Sequence, residues 1–356
     1  MRVRSWMVRA AREPMVLHER DESPGAGEVV VQVAGCGVCH TDLGFYYDGV
    51  PTRKGYPLTL GHEISGTVVA AGAGAEAWRG RQVVVPAVIP CGECPACKAG
   101  RDPVCPGQIF PGSDVHGGFA THVVVPARGL CPVPALDDRR LNPGGIALPE
   151  LSVIADAVST PYQAIRRSEL AGGDLAVFVG LGGVGGFGVQ LASAMGAAVV
   201  AIDVDEARTE LMAQHGADLA LVDRGDFKEL RQAVRGFAKD RGIESWRHKI
   251  FETSGTPEGQ STAFGLVGHG GYLAVVGFTP RKVEIRLSSL MAFDATARGN
   301  WGCPPAHYPA ILDMVLGGKV ALGPFTERRP LASINEVFAD VHERRVSRRV
   351  VLVPEA

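Results

Sequence analysis

Cys91, Cys94, Cys97 and Cys105 stand in the run CGECPACKAGRDPVC, and their C-x2-C-x2-C-x7-C spacing constrains the fold more than any other feature. Four soft thiolates converging on one ion make a tetrahedral zinc site, and close spacing brings them together at little loop-closure cost. Gly92, Pro95, Gly100 and Pro103 interrupt regular structure there, so the segment reads as a lobe wrapped around a metal. Four thiolates fill the shell and leave no position for substrate, which makes such a zinc structural. The competing reading is a pair of disulfides. Cysteines this close are poorly placed to pair with one another, and nothing else in the chain has secreted character.

Wider bounds agree. No apolar stretch is long enough to span a membrane, and the start, MRVRSWMVRAAREPMVLHERDE, carries charges throughout and lacks a signal-type block. With 356 residues, 46% of them hydrophobic, the chain can bury large cores and is expected to form two domains. A net charge of −2 offers no field for nucleic acid. Cys36, Cys39, Cys131 and Cys303 lie outside the cluster, and reduced thiols in a cytoplasmic enzyme account for them.

The texture changes along the chain. EVVVQVAGCGVC, HEISGTVVAAG, RQVVVPAVI and FATHVVVPA are short β-branched runs separated by Gly and Pro. From about residue 155, apolar strands such as LAVFVG and AVVAIDVD alternate with helical patterns, which means βαβ units and a parallel sheet. The tail from about 295, ending in RRVVLVP, is expected to return to the first domain. The expected division is therefore residues 1–154 with 295–356, and residues 155–294, in an α/β fold.

LAVFV runs straight into Gly180-Leu181-Gly182-Gly183-Val184-Gly185, a G-x-G-x-x-G turn that follows a strand and opens a helix. The first glycine makes the turn, the second lets backbone approach a pyrophosphate, and the third lets helix and strand pack closely. The phosphates would sit on the free N–H groups at the helix start. Asp203 closes the next strand, where a carboxylate can hold both ribose hydroxyls and repel the extra phosphate of NADP. NAD is the expected coenzyme, although Arg208 lies nearby.

A second metal constellation stands earlier, in Gly37-Val38-Cys39-His40-Thr41-Asp42 and Gly61-His62-Glu63. A thiolate and an imidazole supply two zinc ligands, and catalytic zinc takes three protein groups plus an open position. Alone, Cys39 could be a buried thiol and His62 a satisfied core histidine.

Taken with the cysteine lobe, the glycine turn, GGFATHVVVP, DAVSTPYQAI and INEVFADVHERRVSRRVVL, these motifs resemble the zinc-dependent medium-chain alcohol dehydrogenases over nearly the whole chain. The resemblance implies a GroES-like β-rich catalytic domain, a Rossmann doubly wound parallel-sheet domain, and an active-site cleft between them. It implies hydride transfer between NAD and an alcohol or ketone, with two zinc ions per subunit. It places a third ligand at Asp156, where many members carry Cys and the bacterial secondary alcohol dehydrogenases resemble this chain in carrying Asp. A carboxylate is harder than a thiolate but carries the same charge. Glu63 is a possible further ligand, Asp42 the acceptor for the second ring N–H of His62, and Thr41 the group handling the hydroxyl proton. His40 and Arg348 are expected to contact coenzyme. Five positions after Cys39, where much of the family has a relay histidine, this chain has Gly44.

The runs GVCHTDLGFYYDGVPTRKGYP and ARGNWGCPPAHYP resemble a branch of that family, the 6-hydroxycyclohex-1-ene-1-carbonyl-CoA dehydrogenases of anaerobic aromatic degradation. That branch implies a cyclic allylic alcohol carried as a CoA thioester, with Arg53, Lys54 and Arg298 as candidate phosphate partners. A general secondary or cyclic alcohol dehydrogenase is the alternative. A zinc-stabilised, NAD-binding scaffold without catalysis is the reading from another class. The family also implies a homodimer or homotetramer.

Overall fold

A computed structural model describes residues 1–355 and resolves two compact units. The first comprises Met1–Ser159, Gly302–Gly318 and the chain from Leu322 onward; the second comprises Thr160–Trp301 and Lys319–Ala321.

The first unit is built on a mixed sheet in the order Thr326–Pro330, Arg349–Val353, Glu28–Gly37, Glu63–Ala71, Gln82–Val85 and Cys131–Pro132. His122–Pro126 also pairs with Glu28–Gly37, antiparallel. Glu28–Gly37 reads EVVVQVAGCG, a nearly continuous apolar run, and Val29, Val30 and Val31 are all fully buried. Such a run suits a strand covered on both faces. Its pairing with Glu63–Ala71 shifts register between Val33 and Gly35, an irregularity that re-aims the strand just before it delivers Cys39. The core beneath holds Leu58, Leu60, Ile64, Ile89, Phe119 and Phe338.

The second unit is a six-stranded parallel sheet in the order Leu219–Val222, Ala198–Asp203, Leu175–Val179, His248–Glu252, Tyr272–Val275, Thr296–Gly299. Strands alternate with helices at Gly185–Ala194, Glu206–Ala213, Phe227–Asp240 and Pro257–Gly265. Leu175–Val179 is buried at every position, as a strand flanked on both edges and both faces must be.

The expected boundaries at 154/155 and 294/295 need correction at both ends. Thr296–Gly299 adds in parallel to Tyr272–Val275, which carries the second unit on to Trp301. At the other end, Ser65 Oγ donates to Leu148 O and Ala157 N–H donates to Glu63, which tie residues 148–157 to the first unit's sheet. Asp156 therefore belongs to the first unit. Among the described residues, no helix is long and apolar enough to cross a membrane.

Candidate functional site

Cys39 leaves strand Glu28–Gly37 and caps the helix His40–Tyr47 in extended conformation. Its N–H donates to Asp42 Oδ2 at 3.0 Å, so the first turn closes on itself. The other oxygen of Asp42 accepts from Gly61 N–H at 3.1 Å and lies 3.2 Å from His62 Nδ1. One wholly buried carboxylate thus fixes both ligand-bearing segments. A carboxylate can only accept, so Nδ1 of His62 carries the proton and Nε2 presents its lone pair. Gly61 has a φ of +97°, and a Cβ there would stand 2.8 Å from Cys36 Sγ and 2.9 Å from Phe119, so the turn into His62 requires glycine.

Asp156 follows the 3-10 helix Leu148–Ala155. Tyr308, fully buried, donates its hydroxyl to Ala155 O at 2.5 Å, and Ser159 Oγ reaches both Ala155 O and the Tyr308 hydroxyl. These bonds hold the turn that aims Asp156 at the cluster. Its Oδ2 lies 3.6 Å from Cys39 Sγ and 3.5 Å from His62 Nε2.

The three donor atoms all lie within 4.8 Å of one another. Tetrahedral zinc with bonds of roughly 2.0–2.3 Å sets its ligands about 3.3–3.8 Å apart, and both separations from Asp156 fall in that range. His62 Nε2 is buried and has no hydrogen-bond partner among the described residues, the condition of a ligand nitrogen. Burial opposes charge on His62, yet Asp42, Asp156 and Cys39 overcome it and push its pKa well up. The pocket draws positive charge to Nε2. The residues present fit a zinc ion.

Glu63 stands outside this cluster. Arg349 Nε and Nη2 donate to its two oxygens at 2.7 and 2.6 Å, and Ala157 N–H donates to Oε1 at 2.9 Å. Both oxygens are committed, which removes Glu63 from the ligand set in this state. A Cβ at Gly37 would collide with Glu63 Oε2, so glycine at 37 makes room for the pair. Thr41 Oγ1 lies 3.7 Å from Cys39 Sγ, at the edge of the cluster. His40 and Arg348 are exposed. Gly44 sits in the helix, and a Cβ there would meet only Val50 at 3.6 Å.

Arg349, Tyr308 and Ser159 were not anticipated from sequence. The signal for Arg349 was two adjacent arginines opening an apolar strand, since alternation must turn one of them inward. The register makes it Arg349, 8% exposed.

The second cluster joins Cys91, Cys94, Cys97 and Cys105, none of them in a disulfide. Sulfur separations are 3.5 Å for Cys94–Cys97, 3.7 Å for Cys94–Cys105 and 3.9 Å for Cys91–Cys97. These are far beyond a disulfide bond and close to the edge of a tetrahedron with Zn–S bonds of about 2.3 Å. The N–H groups of Cys91, Cys94 and Cys97 all point at sulfurs of the cluster. Backbone N–H groups of Glu93 and Cys94 bring the Cys91 thiol down to about 6, while burial pushes Cys97 up to about 12 and raises Cys105. The Cys91 environment favours the thiolate a metal needs.

In the second unit, Gly180 ends strand Leu175–Val179 with a φ of +94°, and a Cβ there would stand 2.5 Å from Ser254 backbone. A Cβ at Gly185 would strike Gly180 O, whereas Gly182 faces open space. That opening is what close approach of a pyrophosphate requires, beside Gly183 and Val184 at the start of the helix. Asp203 ends strand Ala198–Asp203, buried, and its Oδ2 accepts from Leu181 N–H at 2.6 Å. Arg208 stands 3.8 Å from the same oxygen. Of the three basic residues expected to meet phosphate, Arg53 donates to Gln108 O and Asp114, Arg298 lies on strand Thr296–Gly299, and Lys54 is exposed.

Residues 25–135 match the alcohol dehydrogenase GroES-like domain, and residues 183–317 match the zinc-binding dehydrogenase domain. An alcohol dehydrogenase of Geobacillus stearothermophilus is 30% identical over 92% of this chain and 91% of its own length. The chain belongs to the zinc-binding alcohol dehydrogenase family. L-galactonate-5-dehydrogenase of Escherichia coli is another relative in this family, 28% identical over 88% of each chain. Acetophenone reductase of Geotrichum candidum, solved in complex with NAD, superposes with a TM-score of 0.84 at 25% identity, covering 99% of this chain and 97% of that one. As a zinc-dependent alcohol dehydrogenase the chain is an oxidoreductase, with the GroES-like and Rossmann domains that the motifs implied and with candidate sites for two zinc ions.

Proposed function

We propose that this protein interconverts a secondary, cyclic alcohol and its ketone with NAD, at a zinc ion held by Cys39, His62 and Asp156. The carrying observation is the convergence of a thiol, a carboxylate and a buried, unpartnered imidazole nitrogen on one point. Two negative ligands and one neutral ligand balance Zn²⁺, and three protein groups leave the fourth position open.

When bound, zinc would supply a Lewis acid for the alcohol oxygen and NAD a hydride acceptor. The chain's own residues do the rest. Asp42 holds His62 in the tautomer that offers Nε2. Arg349 keeps Glu63 neutralised, so its charge does not compete for the metal. Thr41 accepts the hydroxyl proton and passes on its own. With glycine at position 44, the proton leaves Thr41 without a histidine at that position. Asp203 reads the coenzyme ribose and disfavours a 2′-phosphate, while His40 and Arg348 lie on exposed surface from which coenzyme can be met. A scaffold would have no use for an open zinc position.

For the substrate, we extend the reading to a ring alcohol conjugated to a CoA thioester. Its support is the resemblance of residues 37–57 and 297–309 to the 6-hydroxycyclohex-1-ene-1-carbonyl-CoA dehydrogenases. The free cyclic alcohol is the alternative, and Arg53, already engaged by Asp114, is the weakest of the three expected phosphate partners.

A turnover screen with zinc-replete protein and NAD decides both levels. We expect NADH formation from cyclic secondary alcohols, higher kcat/KM for the thioester, and loss of rate on chelation. Equal efficiency on thioester, free acid and cyclohexanol would leave a general alcohol dehydrogenase. No NAD-linked turnover of any of them would refute the catalytic reading.

A further inference from the structure

The first unit carries a surface cavity of about 620 Å³ whose lining includes no residue of either candidate metal cluster: Met7, Arg9, His18, Arg20, Lys54 and His116, with Gly55, Tyr56 and Pro57 completing its wall. No lining residue is acidic. The N-terminal hairpin explains the concentration of positive charge. Register pairs Ser5 with His18 and Met7 with Val16, so alternate residues of strand Val16–Asp21 share one face, which brings His18 and Arg20 to the cavity beside Met7. Lys54 arrives from a separate loop whose backbone is pinned by Lys54 N–H to Ser113 O at 2.9 Å. The Tyr56 hydroxyl donates to Phe45 O, so its ring serves as wall.

Three of these side chains have no protein partner among the described residues. Arg20 is engaged by Glu22 and Ser5, but no hydrogen bond or ion pair holds the side chains of Arg9, His18 or Lys54 among the described residues. Like charges left unpaired around one concavity repel each other, and an anion would relieve that repulsion. His116 adds a neutral donor. Its Nδ1 accepts from Thr59 N–H at 3.2 Å, which leaves its proton on Nε2. Burial first, then Arg20 and Lys54, lower its pKa to about 4.

We propose that this cavity is a binding site for a phosphoryl-bearing anion, held by Arg9, Lys54 and Arg20 with His116 as a neutral donor. Guanidinium forks and an ammonium together suit the several oxygens of a phosphate or pyrophosphate group. Lys54 is shared with the CoA-phosphate reading above, whereas Arg9, Arg20 and His116 are not part of it.

The test is calorimetric titration of pyrophosphate into the zinc-replete protein with NAD saturating, so that the glycine turn is already occupied. We expect one site per chain. Arg9→Gln and Lys54→Gln should each weaken it by about tenfold or more, the scale of losing a charged hydrogen-bond partner. Both side chains are exposed, so folding should be unaffected. Two sources share this chemistry. Competition between pyrophosphate and the alcohol at saturating NAD would assign the site to a phosphorylated portion of the substrate, and binding without competition would assign it to a free phosphate ligand. Absence of binding to the NAD complex, or equal binding by wild type and the Arg9→Gln/Lys54→Gln variant, would overturn the proposal.

Discussion

Arg349 clasps Glu63 through two parallel hydrogen bonds of 2.6 and 2.7 Å, with both side chains at most 4% exposed. Removing one partner of such a pair leaves a bare buried charge and costs about 3–5 kcal/mol, whereas replacing both by apolar groups can be nearly neutral. We expect Arg349→Met to lower unfolding free energy by that amount and Glu63→Leu/Arg349→Met to recover much of it. Denaturant titration of the metal-loaded variants measures the difference. A single variant as stable as wild type would show that the pair contributes nothing.

Asp156 is the one proposed ligand whose charge can be tested without changing volume. Asp156→Asn leaves the cluster one negative charge short, so zinc occupancy should fall and activity should drop by at least about 10–100-fold, the scale seen even for outer partners of a metal ligand. Asp156→Cys should keep its metal. Elemental analysis alongside turnover separates the cases, and full zinc and full rate in Asp156→Asn would remove Asp156 from the ligand set.

For the four-cysteine lobe the readout is folding. Metal binding there is coupled to ordering a segment with few apolar residues. Cys94→Ser should lose one zinc, lower the thermal midpoint or soluble yield, and keep the catalytic zinc in whatever folds. A variant one zinc short with unchanged stability would contradict the structural role.

In the proposed reading coenzyme choice turns on Asp203, whose carboxylate also accepts from Leu181 N–H. Asp203→Ser should therefore do two things at once. NADP discrimination should weaken, because a like charge is gone, and KM for NAD should rise, because the glycine turn loses an anchor. Kinetics with both coenzymes tests this; a wild type equally efficient with NAD and NADP would show that another residue reads the ribose.

Local spacing made most of this architecture readable. The cysteine lobe and the Gly180–Gly185 turn lie within short stretches, where covalent geometry alone brings the groups together. Thr296–Gly299 escaped because it is exposed at every position, an edge strand without an apolar pattern, and so the second unit looked shorter than it is. Asp156 stands beside Cys39 and His62 in the first unit, past the boundary expected at 154/155, because what ties its segment down is a hydrogen bond from Ala157 to Glu63 across 94 positions. Arg349 was hidden for the same reason. Which of two adjacent arginines turns inward is decided by pairing with a strand from the other end of the chain, and no local window contains that information.

That separation has a consequence for how the protein is made. Tyr308 reaches back 153 positions to the turn that aims Asp156, and Arg349 reaches back 286 to Glu63. The ribosome therefore delivers Cys39 and His62 long before the residues that complete their surroundings. Until the last strand inserts between Thr326–Pro330 and Glu28–Gly37, the sheet has an open edge and the metal cluster lacks its neighbouring counter-charge. A nascent chain stopped short of residue 349 can fold its parallel sheet and still have no mature metal site. Assembly of the proposed metal site is expected late in translation, after closure of the 286-position loop between Glu63 and Arg349.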